Sequence, residues 1–187
     1  KSLWASFHEF GTGSPSLMEG GEATGNLPVR NFLDGEFPEI SKITGGVIKD
    51  TIGIKMESCY ACVIRCKKVV KVDGPYTVDP DYGGPEYETL ASIGSNCCVS
   101  DLKAIAKGSE LCNAYSLDTI STGVTISFAM ECFENGLLTT KDTNGIELRF
   151  GNAAAMVKLV ELIAKREGIG NLLAEGVTRA AQKIGKG

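Results

Sequence analysis

Three cysteines lie close together in the segment Cys59-Tyr-Ala-Cys62-Val-Ile-Arg-Cys66, with the spacing C-x2-C-x3-C. This spacing places the three thiols within two helical turns, near enough to converge on one metal centre. Thiolate sulfur is a soft ligand that suits iron–sulfur clusters and zinc. Three thiolates do not complete a tetrahedral zinc site or a four-iron cluster, so the segment predicts a metal site that needs a fourth ligand.

The remaining metal-binding residues narrow the choice of metal. A structural zinc site usually combines two C-x2-C knuckles, or one knuckle with histidines. This chain has one histidine, His8, which we interpret as a surface or capping residue, and it has no second knuckle. A [4Fe–4S] cluster is therefore favoured, with zinc and three unliganded thiols as the alternatives. The fourth cluster ligand lies outside the chain or is one of the scattered cysteines Cys97, Cys98, Cys112 and Cys132.

The cysteine segment is flanked by the cations Arg65, Lys67 and Lys68. Positive charge near a cluster stabilises its reduced form and raises its reduction potential. A solvated loop is the alternative interpretation of the same three charges.

Two further segments carry carboxylates at predicted helix starts. In Gly83-Gly-Pro-Glu-Tyr-Glu-Thr89, the glutamates stand in a first turn, where the helix dipole favours negative charge. A proton-transfer role there would need desolvation to raise a glutamate pKa. In Leu117-Asp-Thr-Ile-Ser-Thr-Gly123, Asp118 first of all predicts a helix cap. A carboxylate beside free backbone N–H groups can also bind a polar heterocycle or a phosphate.

Composition and charge exclude several classes of protein. The 187 residues are 43% hydrophobic, which is enough for one core, and the net charge of −4 comes without basic runs. We therefore expect neither nucleic-acid nor membrane binding, and no stretch approaches the roughly 18 apolar residues of a membrane span. Seven cysteines is an odd number, which favours free thiols in a reducing, cytoplasmic compartment over a disulfide framework. The start at Lys1, without Met, indicates a segment of a longer protein.

Turn residues and hydrophobic periodicity predict an all-α, bundle-like single domain over residues 1–187. We expect a loop-rich part over 1–58 with one short helix at about 2–9, and a cluster-binding segment with a small hairpin over 59–80. The helical body covers 84–187 and contains five helices joined by short connections. Their predicted starts are Pro85, Asp101, Asp118, Asn152 and Asn171.

Taken in order, these segments resemble the aldehyde:ferredoxin oxidoreductase family of tungsten pterin enzymes. Each segment is weak alone, but the ordered set is specific and runs over nearly the whole chain. The resemblance implies the mainly helical middle domain of a three-domain enzyme, with the fourth cluster cysteine supplied by the third domain. It rests on the cysteine segment, Gly84-Pro-Glu-Tyr-Glu-Thr89, Gly94-Ser-Asn96, Leu117-Asp-Thr-Ile-Ser-Thr-Gly123, and Gly170-Asn-Leu-Leu-Ala-Glu-Gly176 with Ala180-Ala181.

Position by position, the resemblance implies roles for single residues. Cys59, Cys62 and Cys66 match three [4Fe–4S] ligands, and Glu88 matches an active-site glutamate beside the metal. We hypothesise that Glu88 moves a proton near the reacting oxygen. The implied reaction oxidises an aldehyde to a carboxylic acid at a tungsten (or molybdenum) bis-pterin centre and passes electrons through the cluster to ferredoxin. The aldehyde substrate, ferredoxin, the other domains of the enzyme and a second copy in a homodimer are the implied partners.

Asp118 matches the last position of a pterin-contacting Asp-x-x-Gly-Leu-Asp segment, which here is Asn113-Ala-Tyr-Ser-Leu-Asp118. Asn113, Leu117 and Asp118 are therefore the candidate pterin-binding residues. Asn113 replaces a carboxylate and Ser116 replaces a glycine of the family pattern. Lys107 stands where some members have a glutamate that ligates an iron between subunits, and a protonated lysine cannot ligate a metal.

Two other functions remain as alternatives to the pterin enzyme. One is an electron-transfer module that carries only an iron–sulfur cluster, and the other is a structural zinc-binding domain. The two carboxylate segments argue against the first alternative, because a bare electron carrier needs neither of them.

Overall fold

Helices dominate the computed structural model, which describes residues 2–185. Within those residues there are nine α-helices and two separate two-stranded antiparallel sheets, which confirms the predicted mainly helical fold. None of the helices there has the length and apolar character of a membrane span. The helices are α1 Leu3–Phe10, α2 Pro15–Ala23, α3 Gly45–Thr51, α4 Tyr87–Thr89, α5 Leu102–Ala114, α6 Thr119–Glu134, α7 Ala153–Lys165, α8 Ile169–Leu173 and α9 Val177–Ile184. The strands are β1 Gly53–Glu57, β2 Lys67–Val70, β3 Val72–Asp73 and β4 Thr77–Val78.

The amino-terminal part is more helical than its glycine-rich sequence predicts. The short helix expected at 2–9 is present as α1, but α2 and α3 also occupy the region expected to be loop-rich. Thr44 caps α3 by accepting a hydrogen bond from the Val47 N–H at 3.4 Å. A side chain at Gly45 would come within 2.1 Å of the Phe10 carbonyl oxygen, so this glycine permits close packing of α3 against the end of α1. Such packing, rather than helix propensity, stabilises these short helices.

The predicted hairpin is present, but it is shorter than expected. Strands β3 and β4 pair around Gly74 and Pro75, with Val72 opposite Val78. Strand β2 belongs instead to a second sheet, in which it pairs with β1. The sequence does not reveal β1, because its side chains do not alternate regularly between buried and exposed.

Side-chain caps set the starts of the three long helices as predicted. Asp101 accepts from the Lys103 N–H at 3.0 Å, Asp118 from the Ser121 N–H at 2.7 Å, and Asn152 from the Ala155 N–H at 3.1 Å. Each cap satisfies N–H groups that have no partner within the helix.

Two predicted helix boundaries of the body are wrong. Helix α4 begins at Tyr87 with Glu86 as its N-terminal cap residue, so Pro85 precedes the helix rather than opening it. The helix predicted from Asn171 is two helices, α8 and α9. They are separated by Gly176, whose φ of 82° ends a helical path.

The core is centred on an irregular helical segment that continues α4. A turn of π-helix, Leu90–Gly94, and a turn of 3₁₀-helix, Ser95–Cys97, follow α4 and are buried throughout. This segment packs against α6 at Gly123, where a Cβ atom would lie 2.5 Å from the Ser92 carbonyl carbon. The Ser92 hydroxyl also donates to the Thr119 carbonyl oxygen at 3.0 Å. The start of α6 is thereby fixed against the π-helical turn that follows α4.

The motif Gly94-Ser-Asn96 anchors a strained loop of the amino-terminal part. Arg30, Asn31 and Phe32 have φ values of 48°, 52° and 64°, a left-handed run that residues with side chains rarely adopt. The buried Asn96 accepts from the Phe32 N–H at 3.2 Å and donates to the Ser127 hydroxyl at 2.9 Å. Part of the family-like motif therefore has a structural role.

We expect Gly123→Ala to destabilise the fold by about 1–3 kcal/mol, because the added methyl group has no room against the Ser92 backbone. Gly20 is the matched control, since it lies on an exposed turn of α2 with no atom within 4 Å of its missing side chain. Gly20→Ala should be neutral or stabilising by up to about 1 kcal/mol. Urea unfolding measures both effects, and equal losses for the two variants would contradict the close contact.

Candidate functional site

The cysteine segment is a loop between β1 and β2. The Cys62 N–H donates to the Cys59 carbonyl oxygen at 3.1 Å, which closes a single turn. Ala61 and Arg65 both have φ of 55°, and left-handed residues at these positions prevent a continuous helix. All three thiols are free, with Cys59 exposed and the other two half-buried. The strand pair Glu57 and Lys67 fixes the two ends of the loop.

The three thiols are the donor type that a cluster needs, but their arrangement in this structure is not that of a metal site. No group of three or more His, Cys, Asp or Glu side chains within residues 2–185 is arranged to hold a metal ion. The donor atoms themselves suit a [4Fe–4S] cluster, since they are soft, unpaired in disulfides and carried by one loop. Binding a cluster would therefore require a fourth ligand and a different arrangement of these thiols.

The scattered cysteines serve the helical core. The Cys97 thiol is fully buried and donates to the Ser92 and Gly123 carbonyl oxygens at 3.5 and 3.6 Å. Burial raises the pKa of Cys112 to about 11, against a smaller opposing effect of a hydrogen bond with Thr122. Cys132 is also buried, and Cys98 lies beside Arg30. None of the four belongs to a metal-binding group in the described part of the chain.

Helix α1 and the turn that follows it hold the cysteine loop from one side. The His8 Nδ1–H donates to the Ile64 carbonyl oxygen at 3.1 Å. This surface histidine therefore connects α1 to the cysteine loop. At Gly11, a Cβ atom would lie 3.0 Å from the Cys66 carbonyl oxygen and 2.2 Å from Lys68 Nζ. The glycine thus lets the backbone approach both groups.

A buried polar junction joins the end of the loop to α4. Lys68 Nζ lies 2.8 Å from Glu86 Oε2, and the lysine side chain is 3% exposed. Thr12 Oγ1 donates to the same carboxylate oxygen at 2.5 Å and accepts from the Tyr87 N–H at 2.9 Å. Thr12 therefore caps α4 from a distant part of the chain, a role that its glycine-flanked sequence did not predict. Burial, and secondarily the Glu86 charge, raise the pKa of the Cys66 thiol.

Glu88 lies on α4 with its side chain exposed. The next residue, Thr89, donates from Oγ1 to Thr119 Oγ1 at 3.0 Å, and Thr119 is the first residue of α6. The structure therefore brings the Glu88 segment and the Asp118 segment side by side, although 30 positions separate Thr89 from Thr119.

Asp118 is exposed and combines a cap with a small cleft. Its carboxylate accepts from Ser121, and these hydrogen bonds lower the pKa of Asp118. The cleft beside it has a volume of about 150 Å³ and is also lined by Ile163, Leu173 and Gly176. Residues 173–176 belong to the carboxy-terminal family-like motif, whose position beside Asp118 the sequence did not predict.

The other residues of the Asn113–Asp118 stretch have separate local roles. The Asn113 side-chain amide is exposed and donates to the Tyr82 carbonyl oxygen at 2.9 Å, which ties the end of α5 to the turn after β4. Ser116 has φ of 56°, a left-handed conformation that glycine adopts more readily than serine. This explains why the family pattern has glycine at this position. Leu117 is half-buried against the core.

Lys107 is engaged within the chain. It pairs with Glu110 and donates to the Thr77 carbonyl oxygen at 2.9 Å. Glu110 in turn accepts from the Asp79 N–H at 2.9 Å. The resemblance matches Lys107 to a position that binds iron in some family members. In this chain Lys107 instead joins α5 to the small hairpin.

The sequence profile of aldehyde ferredoxin oxidoreductase, domains 2 and 3, matches residues 1–187. The chain belongs to this family. It is 36% identical over 162 residues to the tungsten-containing aldehyde ferredoxin oxidoreductase of Pyrococcus furiosus. The match covers 86% of this chain and 26% of that protein. The chain thus spans about a quarter of the length of this relative.

Two other proteins are similar over much of the chain. The aliphatic sulfonate oxidoreductase, WOR-like subunit, of Pyrococcus furiosus is 35% identical over 180 residues, which is 95% of this chain and 28% of that subunit. Among solved structures, the active site complex BamBC of benzoyl coenzyme A reductase superposes with a TM-score of 0.64 and 29% identity. That match covers 76% of this chain and 21% of the other. The fold of this chain is therefore also present in part of the benzoyl coenzyme A reductase complex.

The capping role of Asp118 can be separated from a binding role by two substitutions. Asp118→Ala should lower the free energy of unfolding by about 1 kcal/mol at about pH 7, whereas Asp118→Asn should keep most of the cap. Because the pKa of Asp118 is lowered in the folded state, its charge stabilises the fold above the unfolded pKa. That contribution is lost as the pH falls through the lowered folded pKa. Urea unfolding at neutral and strongly acidic pH measures this, and a gap between wild type and Asp118→Ala that does not narrow in acid would contradict it.

Proposed function

We propose that this chain is the cluster- and pterin-contacting part of an enzyme that oxidises aldehydes to carboxylic acids and delivers the electrons to ferredoxin. One observation supports this above all: contacts join three distant segments that carry the candidate ligands and carboxylates. Lys68 and Glu86 join the cysteine loop to α4, and Thr89 and Thr119 join α4 to α6. An isolated electron carrier or a structural zinc domain has no need of this arrangement.

Cys59, Cys62 and Cys66 would hold three corners of a [4Fe–4S] cluster, and the fourth ligand would come from another domain of the enzyme. When bound, the cluster supplies one-electron transfer and a tungsten (or molybdenum) bis-pterin centre supplies two-electron chemistry. All seven cysteines are free thiols, which suits a reducing compartment such as the cytoplasm. In this proposal the chain is the middle of three domains.

The Asp118 segment would hold the polar edge of the pterin. Its carboxylate is kept ionised by a lowered pKa, and an ionised carboxylate can accept paired hydrogen bonds from the aminopyrimidine N–H groups. Asn113 uses its amide N–H for Tyr82, which leaves its side-chain oxygen as a neutral acceptor. Leu117 would supply an apolar contact next to these two polar groups.

Glu88 would act as the group that holds and transfers a proton at the substrate oxygen. Its carboxylate is exposed in this chain, in the first turn of α4. A covering domain would exclude water from this carboxylate and so provide a setting for general acid–base catalysis.

Metal and pterin analysis of the full-length protein tests this proposal. We expect iron, tungsten or molybdenum, absorption at about 400 nm, and pterin fluorescence after acid oxidation. Replacing Cys59, Cys62 or Cys66 by serine should remove the iron and the absorption, whereas Cys132→Ser, a buried thiol elsewhere, should retain both. Iron without pterin would support the electron-transfer module, and zinc without iron would support the structural domain.

A substrate panel should pair aldehydes with aliphatic sulfonates, because one relative is a sulfonate oxidoreductase subunit.

Glu88→Gln tests the proton-transfer role in the same protein. Turnover should fall by about 10²- to 10⁴-fold, since general acid–base catalysis contributes that much, while iron, tungsten and pterin contents stay unchanged. Glu39→Gln is a suitable control, because Glu39 is an exposed glutamate that pairs with Lys42. Unchanged turnover in Glu88→Gln would rule out this assignment.

A further inference from the structure

Lys68 carries a charge in a place where charges are rarely found. Its side chain is 3% exposed, and lysine is seldom buried unless it is paired. Its partner Glu86 is 38% exposed and lies 2.8 Å away, so one member of the pair faces the interior and the other reaches the surface. Removing one partner of such a pair leaves an uncompensated charge in a poorly hydrated place.

The chain is shaped so that this pair lies beside the third cysteine. Lys68 follows Cys66 by two residues on the strand that leaves the loop. Gly11 leaves room for both the Cys66 carbonyl and the lysine ammonium, since any side chain there would overlap Nζ. Glu86 is fixed in turn by Thr12, which also caps α4. Sequence position, close packing and hydrogen bonds therefore all place the pair at the Cys66 end of the loop.

Both charges of the pair lie close to Cys66. A Cβ atom at Gly11 would lie 2.2 Å from Lys68 Nζ and 3.0 Å from the Cys66 carbonyl oxygen, so the ammonium and the Cys66 backbone are neighbours. Glu86 Oε2 lies 2.8 Å from the same ammonium. The two charges would act on a bound cluster in opposite directions, because a nearby anion disfavours the added electron and a nearby cation favours it.

We propose that Lys68 and Glu86 form a positioning pair that joins the third cluster cysteine to α4, in which each charge offsets the effect of the other on the reduction potential of the cluster. This inference rests on the proposed function, because it requires a cluster at Cys59, Cys62 and Cys66. The effect of the pair on the cluster passes through Cys66, the neighbouring ligand. Thr12 supports the pair by holding the Glu86 carboxylate.

Redox titration of the cluster in the full-length protein tests the proposal with near-isosteric variants. Lys68→Met leaves the Glu86 charge unopposed and should lower the midpoint potential, whereas Glu86→Gln leaves the Lys68 charge unopposed and should raise it. The double variant should return close to the wild-type value, because both charges are gone. We expect each single shift to be about tenfold in the one-electron equilibrium, which corresponds to about 59 mV.

Lys67→Met is the matched control, since it removes the same charge from the exposed residue next to Cys66. Its shift should be clearly smaller, because water and salt screen an exposed charge. If the pair has only a structural role, the midpoint potential should shift in the same direction in both single variants. The double variant should then not return to the wild-type potential.

Each result bears on the proposal. Opposite shifts that cancel in the double variant support it, while equal, same-direction or absent shifts overturn it. If Lys68→Met does not fold, Glu86→Gln alone must raise the potential, and Lys68→Arg must leave it nearly unchanged, or the inference fails. A wild-type protein without a cluster would refute the proposed function and this inference with it. If the wild-type protein holds a cluster but its midpoint potential is the same in Lys68→Met and Glu86→Gln, this inference alone is refuted.

Discussion

The close contact between the π-helical turn Leu90–Gly94 and α6 is the constraint on which the site depends. Glycine at 123 allows the two backbones to approach, and a side chain there would overlap the Ser92 backbone. A π-helical turn is rare, and this one is buried throughout. Leu90, Ile93 and Ile126 are completely buried around this contact, and each buried side chain of this size contributes about 1.5–3 kcal/mol. The starts of α4 and α6, with Glu88 and Asp118, come together as a consequence.

The polar junction around Glu86 extends this constraint to the cysteine loop. Because Thr12 accepts from the first N–H of α4 and donates to Glu86, the start of α4 depends on a residue that follows α1. Lys68 then connects the same carboxylate to the strand that leaves Cys66. The order of contacts therefore runs from the loop to α4 and from α4 to α6. A change at any of these junctions should alter the relative placement of cysteines and carboxylates without unfolding the helical body.

The sequence predicted what depends on local chemistry. The caps at Asp101, Asp118 and Asn152 were correct, because a short polar side chain before an apolar run satisfies the helix N–H groups wherever the helix packs. The mainly helical fold and the β3–β4 turn at Gly74 were correct for the same reason. The site residues themselves came from the order of motifs, and their roles stay predictions.

What the sequence did not predict depends on long-range contacts. The cysteine segment is a loop because β1 and β2 pair at its two ends, and no local signal marks that pairing. Helices α2 and α3 lie among glycines, and at Gly45 the missing side chain allows α3 to pack against the end of α1, a contact that no local signal marks. The roles of Thr12 and Lys68 could not be found from spacing, since Glu86 lies 74 positions from the first and 18 from the second.

Large apolar side chains are exposed around the cysteine loop. Tyr60 is 101% exposed and Val63 is 88% exposed, and both stand between the candidate ligands. Trp4 on the adjoining helix α1 is 61% exposed, and it lines a shared hollow with His8 and Val63. Large apolar side chains grouped at a surface mark a place where another protein surface binds. In the proposed enzyme, one covering domain that contributes a cysteine would bury these side chains and complete the ligand set at the same time. It would also exclude water from the proposed cluster, which would strengthen the influence of the Lys68 and Glu86 charges on it.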